Sequence, residues 1–283
     1  MPYTYFTTED ELAMIQDNYQ NDVSLNRLQK KYHTSATRIA KIFKKYGLEI
    51  RKNIHLGKYS FNKDFFKNEN EDLAYFLGWV SSDGFIATNS NVIGIELQAS
   101  DRLILENLSQ AMEYTRPILD LDRPDRGHGH FCKFILENRE IKQLLINKYD
   151  IIPNKSNNIN FCFDFNNLSK QFWKDYIRGY FDGDGSIKMT GKYLTFQIDC
   201  TSVKMLLAIE NALKELDSSI KLSIVESALD PEKKINSDLA HCKMPVFRLY
   251  CYGINAEKVY KILYNDAHLY LKRKYDRYIE YMK

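Results

Sequence analysis

The chain has no apolar run of the roughly 18 residues that a membrane-spanning helix needs, which excludes an integral helical membrane protein. Cysteine is scarce. The five residues Cys132, Cys162, Cys200, Cys242 and Cys251 form no CxxC pair, which excludes a zinc ribbon and a disulfide framework. Reduced thiols in a cytoplasmic protein, of bacterial, phage or organellar coding, are the expectation. Met1-Pro-Tyr-Thr-Tyr-Phe6 lacks a basic stretch leading into an apolar one, so no secretory signal is expected. An excess of one charge is also missing. Lys and Arg number 40 and Asp and Glu 37, a net +3 that does not by itself point to nucleic acid.

The distribution of charge says more than the total. From Arg27 to Lys52 there are nine basic residues and one acid, Glu49, whereas residues 1–26 hold five acids and no Lys or Arg. Such a dipolar module has one face suited to phosphates. Its pattern predicts three helices. Thr8-Glu-Asp-Glu11 opens the first, which runs to about Tyr19; Ser24 caps Leu25–Tyr32; Ser35 caps Ala36–Tyr46, and Gly47 stops it. The short joint Tyr32-His-Thr-Ser35 makes the last two a helix-turn-helix, similar to those of resolvases and many phage proteins. The third helix would enter the major groove, with Ala36, Thr37, Arg38 and Lys41 nearest the bases or phosphates. Lys44, Lys45 and Arg51 extend the basic surface.

Two segments a hundred residues apart nearly repeat each other: Phe76-Leu-Gly-Trp-Val-Ser-Ser-Asp83-Gly84 and Ile177-Arg-Gly-Tyr-Phe-Asp-Gly-Asp184-Gly185. Each is an apolar helical run with a glycine inside, Gly78 or Gly179, and each ends in Asp-Gly. A glycine within a helix costs about 1 kcal/mol relative to alanine. Two at matching places imply a shared packing reason. Four residues on stands another small residue, Ser82 or Gly183, and small-xxx-small faces let two helix backbones approach closely. Crossed there, the helices would bring Asp83 and Asp184 side by side. Two such carboxylates repel unless a cation sits between them.

The rest of the chain repeats as well. After the first motif come strand-like Ile86–Ser100, helical Asp101–Met112, strands near 114–120 and 130–136, then Ile141–Tyr149 and a tail ending at Lys155. After the second come strands in Ser186–Thr201, helix Val203–Leu216, strands near 219–227 and 245–252, helix Ala256–Tyr264 and a tail that reaches Lys274. Laid over each other, Lys155 falls on Arg273, one residue short of Lys274.

These motifs resemble those of the LAGLIDADG homing endonucleases, from about Tyr59 to the C-terminus. The resemblance implies an α+β fold: two pseudo-symmetric αββαββα halves forming a DNA saddle, here preceded by the small all-α helix-turn-helix domain. The expected boundaries are 1–56 for that domain, 57–70 for a linker, and 71–160 and 161–283 for the halves. The resemblance also implies that Asp83 and Asp184, with the carbonyls of Ser82 and Gly183, hold Mg²⁺, with Mn²⁺ tolerated. Lys155 and Lys274 would each stand near a scissile phosphate. Ser81 and Ser82 occupy the place where the family pattern has Asp-Ala, while the second copy has Asp182-Gly183.

Specificity would come from strand side chains that carry donors or acceptors. The candidates are Asn89, Asn91, Glu96, Gln98, Arg116, Arg123, Arg126, His128, His130 and Lys133 in the first half. In the second they are Lys188, Lys192, Tyr193, Gln197, Lys221, Lys243 and Arg248. The expected activity is site-specific double-strand cleavage of a long asymmetric DNA target by a monomer, as in intron homing, since two motifs in one chain replace a dimer. The alternatives are an intron maturase that binds structured RNA, and a DNA-binding regulator on an inactive nuclease fold.

Overall fold

A computed structural model describes residues 6–19, 23–50, 59–123, 129–226 and 245–283. The chain divides into two compact units, Met1–Ser60 and Phe61–Lys283.

Among the described residues, the small unit has three helices: α1 (Thr8–Tyr19), α2 (Leu25–Lys31) and α3 (Ala36–Lys45). Thr7 opens α1. Its Oγ1 accepts from the Asp10 amide at 3.2 Å, while Asp10 Oδ2 accepts from the Thr7 amide at 2.9 Å. This reciprocal box satisfies donors that a helix start leaves unpaired. Ser35 caps α3 by accepting from the Arg38 amide at 3.3 Å. Ser24 stands at the N-cap of α2 without a side-chain hydrogen bond, unlike the cap expected there. Gly47, at φ +69°, takes the left-handed conformation that ends α3. Met14, Leu28, Ile39, Ile42 and Phe43 fill the core.

The larger unit contains two αββαββα halves. The first runs α4 (Glu71–Ser81), β1 (Gly84–Ile86), β2 (Val92–Gln98), α5 (Arg102–Ala111), β3 (Leu119–Arg123), β4 (Gly129–Glu137) and α6 (Arg139–Asn147). The second runs α7 (Trp173–Asp184), β5 (Gly185–Thr190), β6 (Tyr193–Cys200), α8 (Val203–Leu216), β7 (Ser223–Glu226), β8 (Phe247–Tyr252) and α9 (Ile254–Tyr264), with α10 (Lys272–Met282) after it. Each half forms one antiparallel sheet, ordered β1-β2-β4-β3 and β5-β6-β8-β7. The matching order makes the repeat a structural one.

Strand alternation decides which face of each sheet is covered. Ile93, Ile95 and Leu97 of β2, and Leu194, Phe196 and Ile198 of β6, are buried in one continuous core with α4, α5, α7, α8 and α9. Their neighbours Glu96, Gln98, Gln197 and Asp199 point to the opposite, uncovered face.

Two expectations need correction. The strand read near 114–120 begins only at Leu119. Pro117 removes a ladder donor, Glu113 turns at φ +51°, and Tyr114 donates instead to the Ile135 carbonyl at 2.9 Å. Within the span read as linker, Phe65 and Phe66 are buried in the core of the larger unit, and Phe61 packs against it. Their aromatic bulk replaces the aliphatic periodicity that the span lacks. Cys132, Cys162, Cys200 and Cys251 are free thiols, and Cys242 lies outside the described residues. Among the described residues, no helix is long and apolar enough to cross a membrane.

Candidate functional site

The site is built on the crossing of α4 and α7. A methyl group on Gly78 would lie 2.6 Å from the Tyr180 amide nitrogen and 2.9 Å from the Gly179 carbonyl carbon. One on Gly179 would lie 3.0 Å from the Tyr75 carbonyl carbon. Backbone meets backbone, so no larger residue fits at either place. One turn on, a methyl on Gly183 would strike Ser82 Cβ at 2.7 Å. The small residues thus bring the two helix ends together, and with them the acids that follow.

Asp184 is the last residue of α7, and Asp83 stands just past Ser82, the C-cap of α4. Both carboxylates lie at the negative ends of helix dipoles, where an acid is disfavoured. Surrounding protein pushes Asp184 up to about 7, with the like charge of Asp83 as the next cause. Asp83 is raised too, chiefly by burial, while Lys274 and then Lys155 pull it back. Both acids retain contact with solvent, which softens these effects.

Lys155 and Lys274 hold equivalent places. Lys155 Nζ donates to the carbonyls of Ser82 at 2.8 Å and Gly84 at 2.5 Å. Lys274 Nζ donates to those of Phe181 at 2.5 Å, Asp182 at 2.9 Å, Gly183 at 3.4 Å and Gly185 at 2.6 Å. Each ammonium therefore caps the carbonyls that flank its motif's aspartate. Both lysines are nearly buried, 9% and 2% exposed. Burial lowers the affinity of both for protons, Lys274 to about 8.

The two halves differ one layer below. Asp182 is fully buried and accepts from Tyr75 Oη at 2.7 Å, Tyr264 Oη at 2.9 Å and the Leu271 amide at 2.8 Å. Leu271 is the N-cap of α10, which carries Lys274. Asp182 thereby ties α4, α9 and α10 to the end of α7. The counterpart, Ser81, makes no such link; its buried hydroxyl lies instead beside that of Tyr176 on α7. By sequence the tyrosines have only packing roles, and nothing in their spacing marks Tyr75 and Tyr264 as a pair.

A divalent cation suits the two aspartates, which supply hard oxygen donors and gain from an intervening positive charge. Among the described residues no group of three or more His, Cys, Asp or Glu could hold a metal. The remaining ligands would be backbone carbonyls, phosphate oxygens and water, as magnesium commonly accepts. The carbonyls of Ser82 and Gly183 already receive lysine hydrogen bonds, but each oxygen has a second lone pair.

The residues expected to touch DNA are scattered in kind. Thr37, Lys41, Lys44 and Lys45 are exposed on α3, with Ala36 and Arg38 partly covered. Arg38 lies over the Phe6 ring at 4.8 Å, and Lys45 is bound to Glu11 at 2.6 Å. Asn89 is exposed in the loop before β2, Gln98 is exposed at the end of β2, and Lys188 and Lys192 are exposed around the β5–β6 hairpin. Arg123 ends β3, and Arg116 precedes it outside any strand. Lys133 is paired with Glu96 at 3.0 Å and Arg248 with Asp199 at 2.7 Å. His130 is held by Asp122 at 2.9 Å. Arg51, Arg126, His128 and Lys243 lie outside the described residues.

No protein-family model matches the chain, and no curated protein matches it. Several solved structures resemble it in general outline. The N-terminal LAGLIDADG domain of DUF199/WhiA is 15% identical, with a TM-score of 0.44 over 71% of this chain and 89% of that one. The homing endonuclease I-WcaI bound to its DNA recognition sequence is 13% identical, with a TM-score of 0.46 over 75% of this chain and 90% of that one. I-DmoI in complex with DNA and Mn is 13% identical, with a TM-score of 0.43 over 70% of this chain and 98% of that one. At such values, the reading of the site rests on the geometry of the helix crossing and its lysines.

Proposed function

We propose that the chain is a double-motif DNA endonuclease that hydrolyses one phosphodiester in each strand of an asymmetric duplex target, using a divalent cation such as Mg²⁺. One observation carries this reading: Asp83 and Asp184 stand at the abutting ends of two crossed helices, with Lys155 and Lys274 on equivalent flanking carbonyls. Two acids at negative helix ends, both raised by desolvation and Asp184 further by the charge of Asp83, are an arrangement that folding alone would not favour. A target phosphate drawn to the helix ends by the lysines would meet both.

Hydrolysis forms a bond from water oxygen to phosphorus and breaks the bond to the 3′ oxygen, leaving a 5′ phosphate and a 3′ hydroxyl. Asp83 and Asp184 would hold a divalent cation, which would supply positive charge and acidify water. The chain's own residues orient and neutralise. Lys274 shares its three N–H groups among four carbonyls, so it acts as a fixed positive charge, not as a proton carrier. Lys155 directs two bonds to carbonyls and has a third N–H to offer phosphate or water. The acid of one motif feels the lysine of the other most strongly: Asp83 is pulled back most by Lys274, and Asp184 by Lys155. The small unit, read as a helix-turn-helix, adds phosphate contacts from α3 and raises affinity through effective concentration.

The test is a cleavage assay on a randomised duplex library with Mg²⁺ or EDTA, beside Asp83→Asn and Asp184→Asn. Cutting of a small set of long sites, lost in both variants and in EDTA, is the expected result. Tight binding without cutting by the wild type would move the chain to the regulator class. Preference for structured RNA over duplex would make it a maturase.

A further inference from the structure

The register of the two sheets aligns their uncovered faces residue by residue. Gly84 pairs with Ile95 and Gly185 with Ile198, so Phe85 corresponds to Ser186, Gly94 to Gln197, Val92 to Thr195 and Glu96 to Asp199. The next strand follows: Glu96 faces Lys133 as Asp199 faces Arg248, and Gly94 faces Ile135 as Gln197 faces Tyr250. At four of these places an apolar residue or glycine in the first half is matched by a hydroxyl or amide in the second.

At the centre of the first face the polar side chains Glu96 and Lys133 hold each other, while Gln98 is exposed at the end of β2. The Phe85 ring covers Gly94, where a methyl would meet ring carbons at 2.5 Å. Lys133 Nζ sits 4.7 Å from the centre of that ring and 3.0 Å from Glu96 Oε2, with 19% of its side chain exposed. The second face is open by comparison. Arg248 gives Nε and Nη2 to Asp199 at 2.7 and 3.2 Å, which fixes its plane and leaves other guanidinium donors, with 35% of the side chain exposed. Gln197 Nε2 donates to the same carboxylate at 2.7 Å, and its carbonyl oxygen remains as an acceptor.

Base edges in the major groove are read by such groups: guanine O6 and N7 by Arg, adenine N6 and N7 by Gln, and the thymine methyl by apolar side chains. We propose that the two half-sites of the target are read by different chemistry. The half over β5–β8 is read through hydrogen bonds from Arg248 and Gln197. At the centre of the half over β1–β4, reading is through apolar contact around Phe85, which favours thymine and tolerates change, with Gln98 left at the strand end. This proposal rests on the DNA-binding reading given above and adds where discrimination lies.

The experiment is selection of bound duplexes from a randomised library by the full chain in Ca²⁺, followed by sequencing, for wild type, Arg248→Ala, Gln197→Ala and Phe85→Ser. Wild type is expected to fix base pairs strongly on one side of the centre and to show only a weak A·T preference on the other. Arg248→Ala should relax a G·C position on the strong side, with discrimination there falling roughly tenfold to a hundredfold. Gln197→Ala should relax a neighbouring position on that side. Phe85→Ser should weaken binding without relaxing any position on the strong side. Equal fixation on both sides, or no relaxed position in both Arg248→Ala and Gln197→Ala, overturns the proposal while DNA binding stands. Enrichment of no duplex overturns the DNA-binding reading itself. Should Arg248→Ala lose its cooperative thermal transition, Gln197→Ala on the same face decides the matter.

Discussion

Tyr75 of α4 donates its hydroxyl to Asp182 of α7 at 2.7 Å, across the helix crossing and 107 residues along the chain. The bond is fully buried, and the acceptor takes two more donors, from Tyr264 and the Leu271 amide. Burial raises the Asp182 carboxyl, while Lys274 and these donors draw it back. Removing one donor leaves buried carboxylate valence unmet, which costs about 1–3 kcal/mol. Tyr75→Phe should therefore lower the urea midpoint of the larger unit without changing its secondary structure. An unchanged midpoint would show that the hydroxyl contributes nothing to the crossing.

The glycines at the same crossing set a stricter limit. Gly78→Ala or Gly179→Ala gains about 1 kcal/mol of helix propensity. Each also places a methyl within 3.0 Å of opposing backbone. Overpacking a tight contact costs about 1–3 kcal/mol when side chains can yield, and here backbone must move. Both variants should unfold at lower temperature than wild type, and in both the paired acids should move apart. Thermal melts followed by circular dichroism check the first point. A variant more stable than wild type would show that the backbones are not in contact.

The pH dependence of the metal-free protein should carry the signature of Asp184. Its folded-state value, about 7, lies above the ordinary 3.8, so between those values the folded state holds the proton more than the unfolded state does. Stability is then highest below about 3.8, as far as this group is concerned, and is lost as pH rises towards about 7. In EDTA, Asp184→Asn should remove that part of the decline and be more stable than wild type at neutral pH. Parallel stability curves for the two proteins would mean that Asp184 titrates normally.

A cation at the same place should reverse the neutral-pH penalty. Mg²⁺ at about a hundredfold above its dissociation constant stabilises a folded protein by about 2.7 kcal/mol. The melting temperature of wild type should rise with Mg²⁺ or Ca²⁺, and that of Asp83→Asn with Asp184→Asn combined should not. A rise of equal size in the double variant would place the cation elsewhere.

How much of this was legible in the sequence follows from how local each signal is. A helix-interior glycine is costly wherever it occurs, so Gly78 and Gly179 announced the crossing, and the Asp-Gly endings announced what it brings together. The sheet order followed once the repeat was seen. Lys274 was ambiguous against Arg273, because only the spatial match of Gly84 with Gly185 as acceptors sets the register. The Asp182 hub was not legible, since its donors come from α4, α9 and the start of α10 and share no spacing. Nor was the pinning of Phe85 on Gly94, which needs the cross-strand register. The strand expected from residue 114 was misplaced because Tyr114 satisfies its hydroxyl on β4 and Pro117 delays pairing.

The small unit offers a prediction that separates charges of equal count. Lys31 is bound to Asp17 at 2.7 Å and Lys45 to Glu11 at 2.6 Å, whereas Lys41 and Lys44 are exposed on α3. Each phosphate that a variant no longer neutralises lowers the salt slope of DNA binding by about one unit. Lys41→Ala and Lys44→Ala should each do so, with affinity falling alike for all sequences. Lys45→Ala frees Glu11 as well as removing a cation, so it leaves an acid beside the basic face and should weaken binding further, through repulsion. Binding titrations from low to moderate salt read the slopes. If all three variants keep the wild-type slope, α3 does not face phosphate, and the small unit serves some purpose other than holding DNA.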